Sequence, residues 1–485
     1  MVWSERAALF VFFSQRSSPL LRHLKTDLPA PPALIYGFFA ALMAMVCVLL
    51  TPPGQTPDER NHLARVTQIS QGGFIGLKNG PKDAGGYLSN NFPAESELLN
   101  SLRFNAQAKV PMNELLTLSE RHWSGEKSWA SFPNTVIYAP ITYLPGAMTS
   151  FVARHGKATI IQTSYAIRAV NAFCTVLLCA VGVAIARRGM LFLAVIASLP
   201  MVMAVGASCS QDGVLIGLAI VTAALLSRRD EQDPGSTRFW IGIALLFAVL
   251  TVSKPPLLLC SLVPLGLDLR GRKWLRFLPF GLSLVAFLFW QKIGLNPTKI
   301  QFLDGMGVSD GGQVHWVVTH PFALPALAYH SLVANLGHNI HEFIGVLGWL
   351  DTIFPRWFYR VAYAAIAASI GFCFYPALRH KELRQTSTGV VVTIVAVLLS
   401  VGAVFFSLYV IWTPVGAPVI DGVQGRYFLP IAPFLALVFP RVRHGGRVDS
   451  SLWVHQGAML VFSLFLALDT VTLTCVLASR YWLAS

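Results

Sequence analysis

Charged residues are scarce in this sequence. They make up 12% of 485 residues, whereas hydrophobic residues make up 54%. A water-soluble domain needs more charge than this at its surface, so the composition excludes an ordinary soluble protein. Long apolar runs recur along the chain and predict an all-α polytopic membrane protein in contact with a lipid bilayer.

Cysteine is also rare, and several catalytic motifs are absent. The seven cysteines lie in or beside apolar runs without a Cys-x-x-Cys pair, which gives no support to a disulfide framework or a cysteine metal site. The chain has no P-loop, dinucleotide-binding motif or serine nucleophile elbow. Its net charge of +14 comes largely from short loops between apolar runs, so we expect no binding of nucleic acid.

Basic residues in these loops predict how the chain crosses the membrane. Four of them precede the first apolar run and place an N-terminal segment, 1–32, in the cytoplasm. The remainder, 33–485, is predicted to form a single transmembrane domain with about 11 spanning helices. It includes a large external loop at 51–133 and a second external or interfacial region at 293–358.

The predicted spans alternate so that five further basic clusters face the cytoplasm. They are placed at 33–50, 163–186, 189–207, 211–227, 238–253, 256–269, 274–292, 359–378, 388–412, 426–440 and 454–478. Two more apolar segments, 134–152 and 321–350, would reverse this alternation if they were spans. We therefore predict that both lie in the outer interface, with a re-entrant hairpin as the alternative for the second.

The segment TPPGQTPDERNHLARVTQISQGG, 51–73, carries a group of ionisable residues beside a predicted outer helix end. Asp58, Glu59 and His62 lie within about one turn of each other if this segment is helical. Asp58 can serve as a helix N-cap, but capping gives no role to Glu59 or His62. An ionisable group at the membrane boundary is by default a candidate for function.

Further polar residues are predicted at the same outer face. Lys254 either extends to the interface or binds an anion, and Asp212 is either an N-cap or part of a site. Arg426 suits bidentate binding of phosphate, with an ion pair to Asp351 or Asp421 as the alternative. The predicted substrate-binding residues are His62, Lys254, Asp351, Gln424, Arg426 and Tyr427.

The segment HNIHE, 338–342, contains candidate metal ligands. On a helix, His338, His341 and Glu342 can share a face; we predict interfacial hydrogen bonding, with binding of a divalent metal as the alternative. Asp58 is a further candidate ligand. The spacing of the histidines does not match the zinc-protease motifs.

Four stretches taken together resemble a bacterial family of membrane proteins, the domain-of-unknown-function family 2142. They are PDERNHLARVTQISQGG, YAPITYLPGA with IRAVNA further along, GVLGWLDTIFP, and GVQGRYFLP. The resemblance covers nearly the whole chain, from residue 35 to residue 440. In the family a small or apolar residue and His follow Pro-Asp-Glu, whereas Arg60 and Asn61 intervene here before His62.

This resemblance implies a helix bundle like that of the GT-C membrane glycosyltransferases. Those enzymes take sugar from a polyprenyl-phosphate carrier on the outer side of the cytoplasmic membrane, which implies a bacterial inner-membrane location for this chain. By position, Asp58 is implied to be the catalytic base or a metal ligand, with Glu59 as its catalytic neighbour. A divalent metal, Mg²⁺ or Mn²⁺, is the implied cofactor.

The residue types fit such a reaction. Transfer from a lipid phosphate needs a base for the acceptor hydroxyl and a cation or metal for the leaving phosphate. We therefore predict a glycosyltransferase that uses a polyprenyl-phosphate-linked sugar donor to modify an envelope glycan or lipid acceptor. The alternatives are a transporter or flippase for lipid-linked sugars, which paired repeats would favour, and a non-catalytic envelope-glycan assembly protein.

Overall fold

Helices make up most of the structure. The computed structural model describes residues 31–230, 233–267, 273–301, 305–379, 387–441 and 452–483. The helices are α1 (Pro31–Leu50), α2 (Glu59–Ser70), α3 (Met112–Ser119), α4 (Pro133–Val136), α5 (Leu144–His155), α6 (Ile160–Ile185), α7 (Met190–Ser198), α8 (Pro200–Gly206), α9 (Asp212–Leu226), α10 (Thr237–Ser253), α11 (Leu278–Trp290), α12 (Asn296–Thr298), α13 (Asp310–Thr319), α14 (Leu324–Gly345), α15 (Arg356–Arg379), α16 (Ser387–Ile411) and α17 (Leu452–Tyr481). The strands are β1 (Leu77–Lys78), β2 (Ala84–Ser89), β3 (Lys127–Ser131), β4 (Val346–Leu347) and β5 (Thr352–Ile353).

Several helices are suited to a lipid bilayer. Among the described residues, six helices are long and apolar enough to cross a membrane: Pro32–Leu50, Ile160–Ile185, Trp274–Thr298, Arg356–Tyr375, Ser387–Ile411 and Gln456–Tyr481. Helices α13 and α14 pass the same test together, but a bend of 89° separates them. The prediction of a mostly helical protein with several candidate spans is confirmed, whereas the predicted number of about 11 spans is not confirmed.

One predicted span is divided in two. Residues 189–207 form α7 and α8 rather than one continuous helix. Leu199, between them, has an extended backbone with ψ of 140° because it precedes Pro200. Proline also lacks the N–H group that would continue the α-helical ladder, so the break follows from the sequence.

Two other predicted spans are not α-helical. The 256–269 span corresponds to a 3₁₀ helix, Pro255–Gly266, which has Pro264 inside it. The 426–440 span contains two short 3₁₀ helices, Gly425–Phe428 and Ala432–Val438. Prolines within and beside these segments remove backbone donors, which disfavours regular α-helix.

The two apolar segments predicted for the outer interface are largely helical. The first, 134–152, contains α4, a 3₁₀ turn and most of α5, and each of these is too short to cross a bilayer. Helix α14 covers most of the second, 321–350, and follows the 89° bend. Its position in the interface or in a re-entrant hairpin stays a prediction.

The loop between α1 and α6 folds around α2. Strands β1, β2 and β3 form an antiparallel sheet in that order, with Gly86 opposite Ala130. Leu63 and Val66 of α2 are buried in a core shared with this sheet. On another side of α2, Arg65 donates hydrogen bonds to the carbonyl oxygens that follow the helix and precede α5. These contacts fix α2, and the residues at its start, on the helix bundle.

Four helix ends lie close together near the start of α2. Helices α1 and α10 end there, and α6 and α9 begin nearby. Arg168 of α6 donates to the carbonyl oxygen of Thr51, just after α1, at 2.7 Å. Lys254, just after α10, forms an ion pair with Asp212 at the start of α9, at 3.0 Å. These are the ends that the alternation of apolar runs predicted for one face of the membrane.

Asp469 is a buried carboxyl group inside α17. Its side chain is 0% exposed, and neither carboxyl oxygen has a hydrogen-bond partner in the described part of the chain. Because an unpaired buried polar group costs about 1–3 kcal/mol, Asp469→Val should raise the free energy of unfolding by about this amount. The measurement is the thermal midpoint in detergent. Asp469→Asn, which keeps polar atoms buried, should change it little, and a fall for Asp469→Val would contradict the prediction.

Candidate functional site

Asp58 has a strained backbone and a partly exposed carboxylate. Its φ of 60° and ψ of 14° lie in the left-handed region, which is uncommon for residues other than glycine. It occupies the N-cap position of α2, but its side chain makes no capping hydrogen bond. Instead, Asn134 Nδ2 donates to Asp58 Oδ1 at 2.8 Å, and Arg426 approaches Asp58 Oδ2 at 3.4 Å. The local strain therefore directs this carboxylate towards Asn134 and Arg426.

Glu59 lies in a different environment, a buried ion pair. The Glu59 side chain is 2% exposed and its partner, Arg168 of α6, is 0% exposed. Arg168 binds both carboxylate oxygens, with Nε to Oε1 at 2.7 Å. The backbone amides of Gly54 and Cys209 also donate to Glu59, at 3.1 and 3.3 Å. Glu59 thus connects α2 to α6 and to the segment before α9.

His62, one turn after Asp58, is also buried. Its Nδ1 lies 2.7 Å from the hydroxyl of Tyr143, and its side chain is 6% exposed. Burial, with smaller contributions from the cations of Arg426 and Lys254, lowers the pKa of His62 to about 4 against the opposing effect of Asp212 and Asp58. His62 is therefore a neutral imidazole at pH 7 that can accept or donate one hydrogen bond.

The low pKa of His62 makes the protein sensitive to mild acid. Below the ordinary pKa of 6.5, the unfolded chain binds a proton that the folded chain does not bind until about pH 4. Above pH 6.5, His62 therefore does not reduce the free energy of unfolding. As the pH falls towards 4, the free energy of unfolding decreases by up to about 3 kcal/mol. We expect His62→Gln to reduce this fall, measured as thermal midpoints of both proteins from pH 7.5 to 4.5. Parallel curves for the two proteins would contradict the prediction.

Two cations complete the cluster. Lys254 Nζ lies 3.0 Å from Asp212 and 5.4 Å from the ring centre of Tyr427. Arg426 is 6% exposed, and its Nε donates to Gln424 Oε1 at 2.7 Å. The contact of Arg426 with the 36% exposed Asp58 is long, at 3.4 Å, so it is a weak hydrogen bond. Part of the guanidinium is thus available to an anion that enters beside Asp58.

Glu342 holds the segment that carries Arg426. Glu342 is 1% exposed, and its Oε2 accepts a hydrogen bond from the amide of Gly425 at 2.7 Å. A Cβ atom at Gly425 would lie 1.9 Å from the carbonyl oxygen of Asn339, so only glycine fits against α14 at this point. The backbone before Arg426 is therefore fixed on α14.

The three candidate metal ligands on α14 do not converge. His338 pairs with Glu342 at 2.8 Å, because residues four apart share a helix face. His341 instead packs against the ring of Tyr359, with centroids 4.2 Å apart. No group of three or more potential metal ligands occurs among the residues that the structure describes. The described residues thus give no support to a metal site formed by His338, His341 and Glu342.

Asp351 belongs to a separate network. Arg480 of α17 donates to Asp351 Oδ2 at 3.0 Å and to the carbonyl oxygens of Leu102 and Ala108, at 2.8 and 2.9 Å. Asp351 therefore anchors the end of α17 to the outer loop. Its ion pair is with Arg480 and not with Arg426, the partner considered from the sequence.

The structure thus brings most of the predicted residues together and adds three that sequence reasoning missed. Asp58, His62, Lys254 and Arg426 form one cluster together with Gln424 and Tyr427. The additional residues are Asn134, Tyr143 and Arg168. A charged residue inside a predicted span is a signal that could have identified Arg168. Asn134 and Tyr143 have no comparable signal, because an amide and a tyrosine are ordinary in an interfacial segment.

The cluster combines opposite charges at a boundary between buried and exposed environments. Asp58 and Asp212 balance Arg426 and Lys254, while His62 is neutral. A partly exposed carboxylate can accept a proton from a hydroxyl, and the buried Arg426 and the partly buried Lys254 can stabilise a developing negative charge. This arrangement can support transfer of a group from a phosphate to a hydroxyl, or binding of a phosphate alone.

The match to a family model agrees with a membrane protein. The model of a family described as "Predicted membrane protein (DUF2142)" matches residues 39–435. The crystal structure of an Archaeoglobus fulgidus oligosaccharyltransferase in complex with Zn and sulfate is similar, with 11% sequence identity and a TM-score of 0.38. The match covers 92% of this chain and 53% of that chain, so this chain spans about half the length of that protein. No curated protein matches.

Proposed function

The chain belongs to the DUF2142 family of predicted membrane proteins, and from its candidate site we propose that it is a membrane glycosyltransferase. Its donor is a sugar linked to polyprenyl phosphate, and its acceptor is an envelope glycan or lipid. Transfer takes place at the outer side of the bacterial cytoplasmic membrane. The single observation that carries this proposal is the convergence of Asp58 with Arg426 and Lys254 at one end of the helix bundle.

The proposed reaction assigns one step to each charged group. Asp58 takes the proton of the acceptor hydroxyl as its oxygen forms a bond to the anomeric carbon. The bond from that carbon to the phosphate oxygen breaks, and the electron pair leaves with polyprenyl phosphate. Arg426 and Lys254 stabilise the charge on the leaving phosphate. Attack opposite to the leaving phosphate inverts the configuration of the sugar.

The neighbours of these groups support this assignment. Asn134 holds one oxygen of Asp58 at 2.8 Å, and within the described residues the other oxygen has only the long contact to Arg426. Asp212 keeps Lys254 in place, and Glu342 fixes the backbone before Arg426. A site whose supporting residues are already in position loses little energy in reorganisation during the reaction.

A divalent metal does not fit the described residues well. The carboxylate of Asp58 faces Arg426, and the carboxylate of Asp212 is paired with Lys254 at 3.0 Å. Arg426 and Lys254 thus contact the carboxylate oxygens that Mg²⁺ or Mn²⁺ would need to bind. In the proposed reaction, Arg426 and Lys254 therefore stabilise the charge on the phosphate without a metal.

A lipid-borne donor is supported by the surface of α14. Tyr329, Leu332, Val333, Leu336 and Ile340 are all exposed and follow one helix face at spacings of three and four residues. Glu342 of the same helix is buried on another side of α14, where it holds the backbone before Arg426. An isoprenoid chain along the stripe would therefore lie on the helix that supports the segment carrying the proposed phosphate-binding cation.

We also propose how the chain lies in the membrane. The segment 1–32 is cytoplasmic, the loop 51–133 is outside, and 33–485 forms one GT-C-like domain in which the shorter apolar segments also contribute to crossing. The site then faces the space where lipid-linked sugars meet water-borne or lipid-borne acceptors. Basic clusters in the loops between the apolar runs support this orientation.

Two measurements test the proposed function. Envelope glycans and glycolipids are compared by mass spectrometry between a deletion strain and the same strain carrying the wild-type chain. We expect one sugar to disappear and to return. The purified protein in lipid nanodiscs should then transfer sugar from polyprenyl-phosphate donors, releasing one polyprenyl phosphate for each glycoside formed. Movement of the donor across liposomes without its consumption would instead establish a flippase, and an unchanged envelope would contradict both.

A further inference from the structure

A series of side-chain hydrogen bonds runs from Arg60 to Asp58. Asn134 Nδ2 donates to Asp58 Oδ1 at 2.8 Å, and Asn134 Oδ1 accepts from Asn61 Nδ2, also at 2.8 Å. Asn61 Oδ1 in turn accepts from Arg60 at 3.3 Å. We call this series, from Arg60 through Asn61 and Asn134 to Asp58, the amide relay. It connects the proposed base to two side chains that lie beyond its own hydrogen-bond partner.

The two ends of the amide relay fix its direction. An ionised carboxylate only accepts hydrogen bonds, and a guanidinium only donates them. Asp58 therefore requires the NH₂ group of Asn134, and Arg60 requires the carbonyl oxygen of Asn61. The remaining oxygen of Asn134 and the remaining NH₂ group of Asn61 then complement each other. Turning either amide by itself would place two acceptors in contact, so both amides are held in one orientation.

The folded outer loop holds the amide relay in place. Arg60 donates to the carbonyl oxygen of Ser131 at 2.7 Å and to that of Pro93 at 3.0 Å. The backbone carbonyl oxygen of Asn61 accepts a hydrogen bond at 2.8 Å from Thr135, which is 1% exposed. These contacts tie the relay to the end of β3 and to α4. It is therefore ordered before any substrate binds, which lowers the cost of aligning a reacting group.

We infer that the amide relay selects Oδ2 of Asp58 as the oxygen that takes the acceptor proton, with Asn61 and Asn134 as positioning residues. This inference rests on the proposed function, which makes Asp58 the base. Asn134 occupies Oδ1, whereas within the described residues Oδ2 has only the 3.4 Å contact to Arg426. Asn61 acts through Asn134, because its NH₂ group keeps the carbonyl oxygen of Asn134 directed away from the carboxylate.

Asn61→Asp changes the direction of the relay with little change of shape. The new carboxylate only accepts, so the Asn134 amide either turns its oxygen towards Asp58 or loses its donor. We expect kcat for sugar transfer in nanodiscs to fall about 100-fold with the KM for the donor unchanged, because the base is displaced while the phosphate-binding cations stay in place. The new carboxylate also pairs with Arg60, so a merely structural Asn61 would leave kcat unchanged. That result would overturn the inference.

A stability measurement tests the relay without any transfer. Asp58→Asn should lower the thermal midpoint slightly in the wild-type background, because it weakens the contact with Arg426. In the Asn61→Asp background the same change should raise the midpoint, because the new amide donates to the turned oxygen of Asn134. Additive effects would overturn the inference, whatever the result for transfer. A reversal of sign in a protein that transfers no sugar would instead refute the proposed function and, with it, the role of Oδ2 as base.

Two further variants are the controls. Asn91→Asp changes another amide of the outer loop, one that donates to the carbonyl oxygen of His122 at 3.1 Å, and should leave kcat unchanged. Asn134→Ala removes the contact through which Asn61 acts, so adding Asn61→Asp to it should lower kcat little further. If the losses in kcat from Asn61→Asp and Asn134→Ala multiply, Asn61 does not act through Asn134 and the inference is overturned.

Discussion

Asp58→Asn is expected to slow sugar transfer by orders of magnitude while leaving the protein folded. Asparagine has nearly the same shape and tolerates the left-handed backbone that Asp58 adopts, with φ of 60°. Its amide cannot take a proton from the acceptor, so the loss of a general base should lower the rate about 10²–10⁴-fold. The rate is measured as glycoside formed per minute by protein in nanodiscs at saturating donor.

The stability of the Asp58→Asn protein decides how this loss is interpreted. The Asp58 carboxylate is 36% exposed and its ion pair with Arg426 is long, so its removal should cost less than about 1 kcal/mol. Asp83→Asn is the matched control, since Asp83 accepts a hydrogen bond from Trp129 in the same outer loop and should affect neither rate nor site. An active Asp58→Asn protein would refute the assignment of Asp58 as the base.

The convergence of the site could be predicted from the sequence because it depends on topology. Asp58, Lys254 and Arg426 each follow or precede an apolar run, and the alternation of basic loops assigns these ends to one face of the membrane. The order of apolar runs and basic loops along the chain was therefore enough to place these three residues at the same face. The pairing of Lys254 with Asp212 follows the same logic, since two helix ends meet there.

Partners within the cluster could not be predicted, because they depend on how the loops fold. Glu59 and Asp58 are adjacent in sequence, yet one is 2% exposed beside Arg168 and the other 36% exposed beside Arg426. Because Asp58 has a left-handed backbone, its carboxylate and that of Glu59 point to different partners. No sequence pattern indicates this backbone conformation for an aspartate. Glu342 likewise reaches Gly425 across 83 residues of sequence through tertiary packing alone.

The predicted number of membrane spans is the other point that the structure does not confirm. Apolar runs were identified correctly, but hydropathy does not register the backbone effect of proline. Pro200 divides one predicted span, and Pro264 lies within a 3₁₀ helix. By length and composition, six helices among the described residues are candidate spans. This number is smaller than the number of apolar runs that were counted as spans in the sequence.

Arg168→Met should destabilise the protein more than any other single change discussed. It leaves the carboxylate of Glu59 buried without a counter-charge, which typically costs about 3–5 kcal/mol. It also removes the donors that Arg168 supplies to the carbonyl oxygens of Thr51 and Pro52, at 2.7 and 3.0 Å. The measurement is the thermal midpoint in detergent, with Arg121→Met as control. Arg121 pairs with Glu97 at the surface, so its loss should cost less than about 1 kcal/mol.

The double variant Glu59→Gln with Arg168→Met separates the two roles available to Glu59. If Glu59 positions α2 through its ion pair, the double variant should regain part of the stability lost in Arg168→Met, because no charge then remains buried alone. In that case Glu59→Gln alone should lower both the thermal midpoint and the rate of sugar transfer, because the buried charge of Arg168 becomes unpaired. If Glu59 is instead catalytic, as the sequence predicted, Glu59→Gln should lose transfer as completely as Asp58→Asn while its thermal midpoint stays unchanged. The burial of Glu59 and its bidentate contact with Arg168 favour the first outcome, since a carboxylate held on both oxygens has no free lone pair directed at an acceptor.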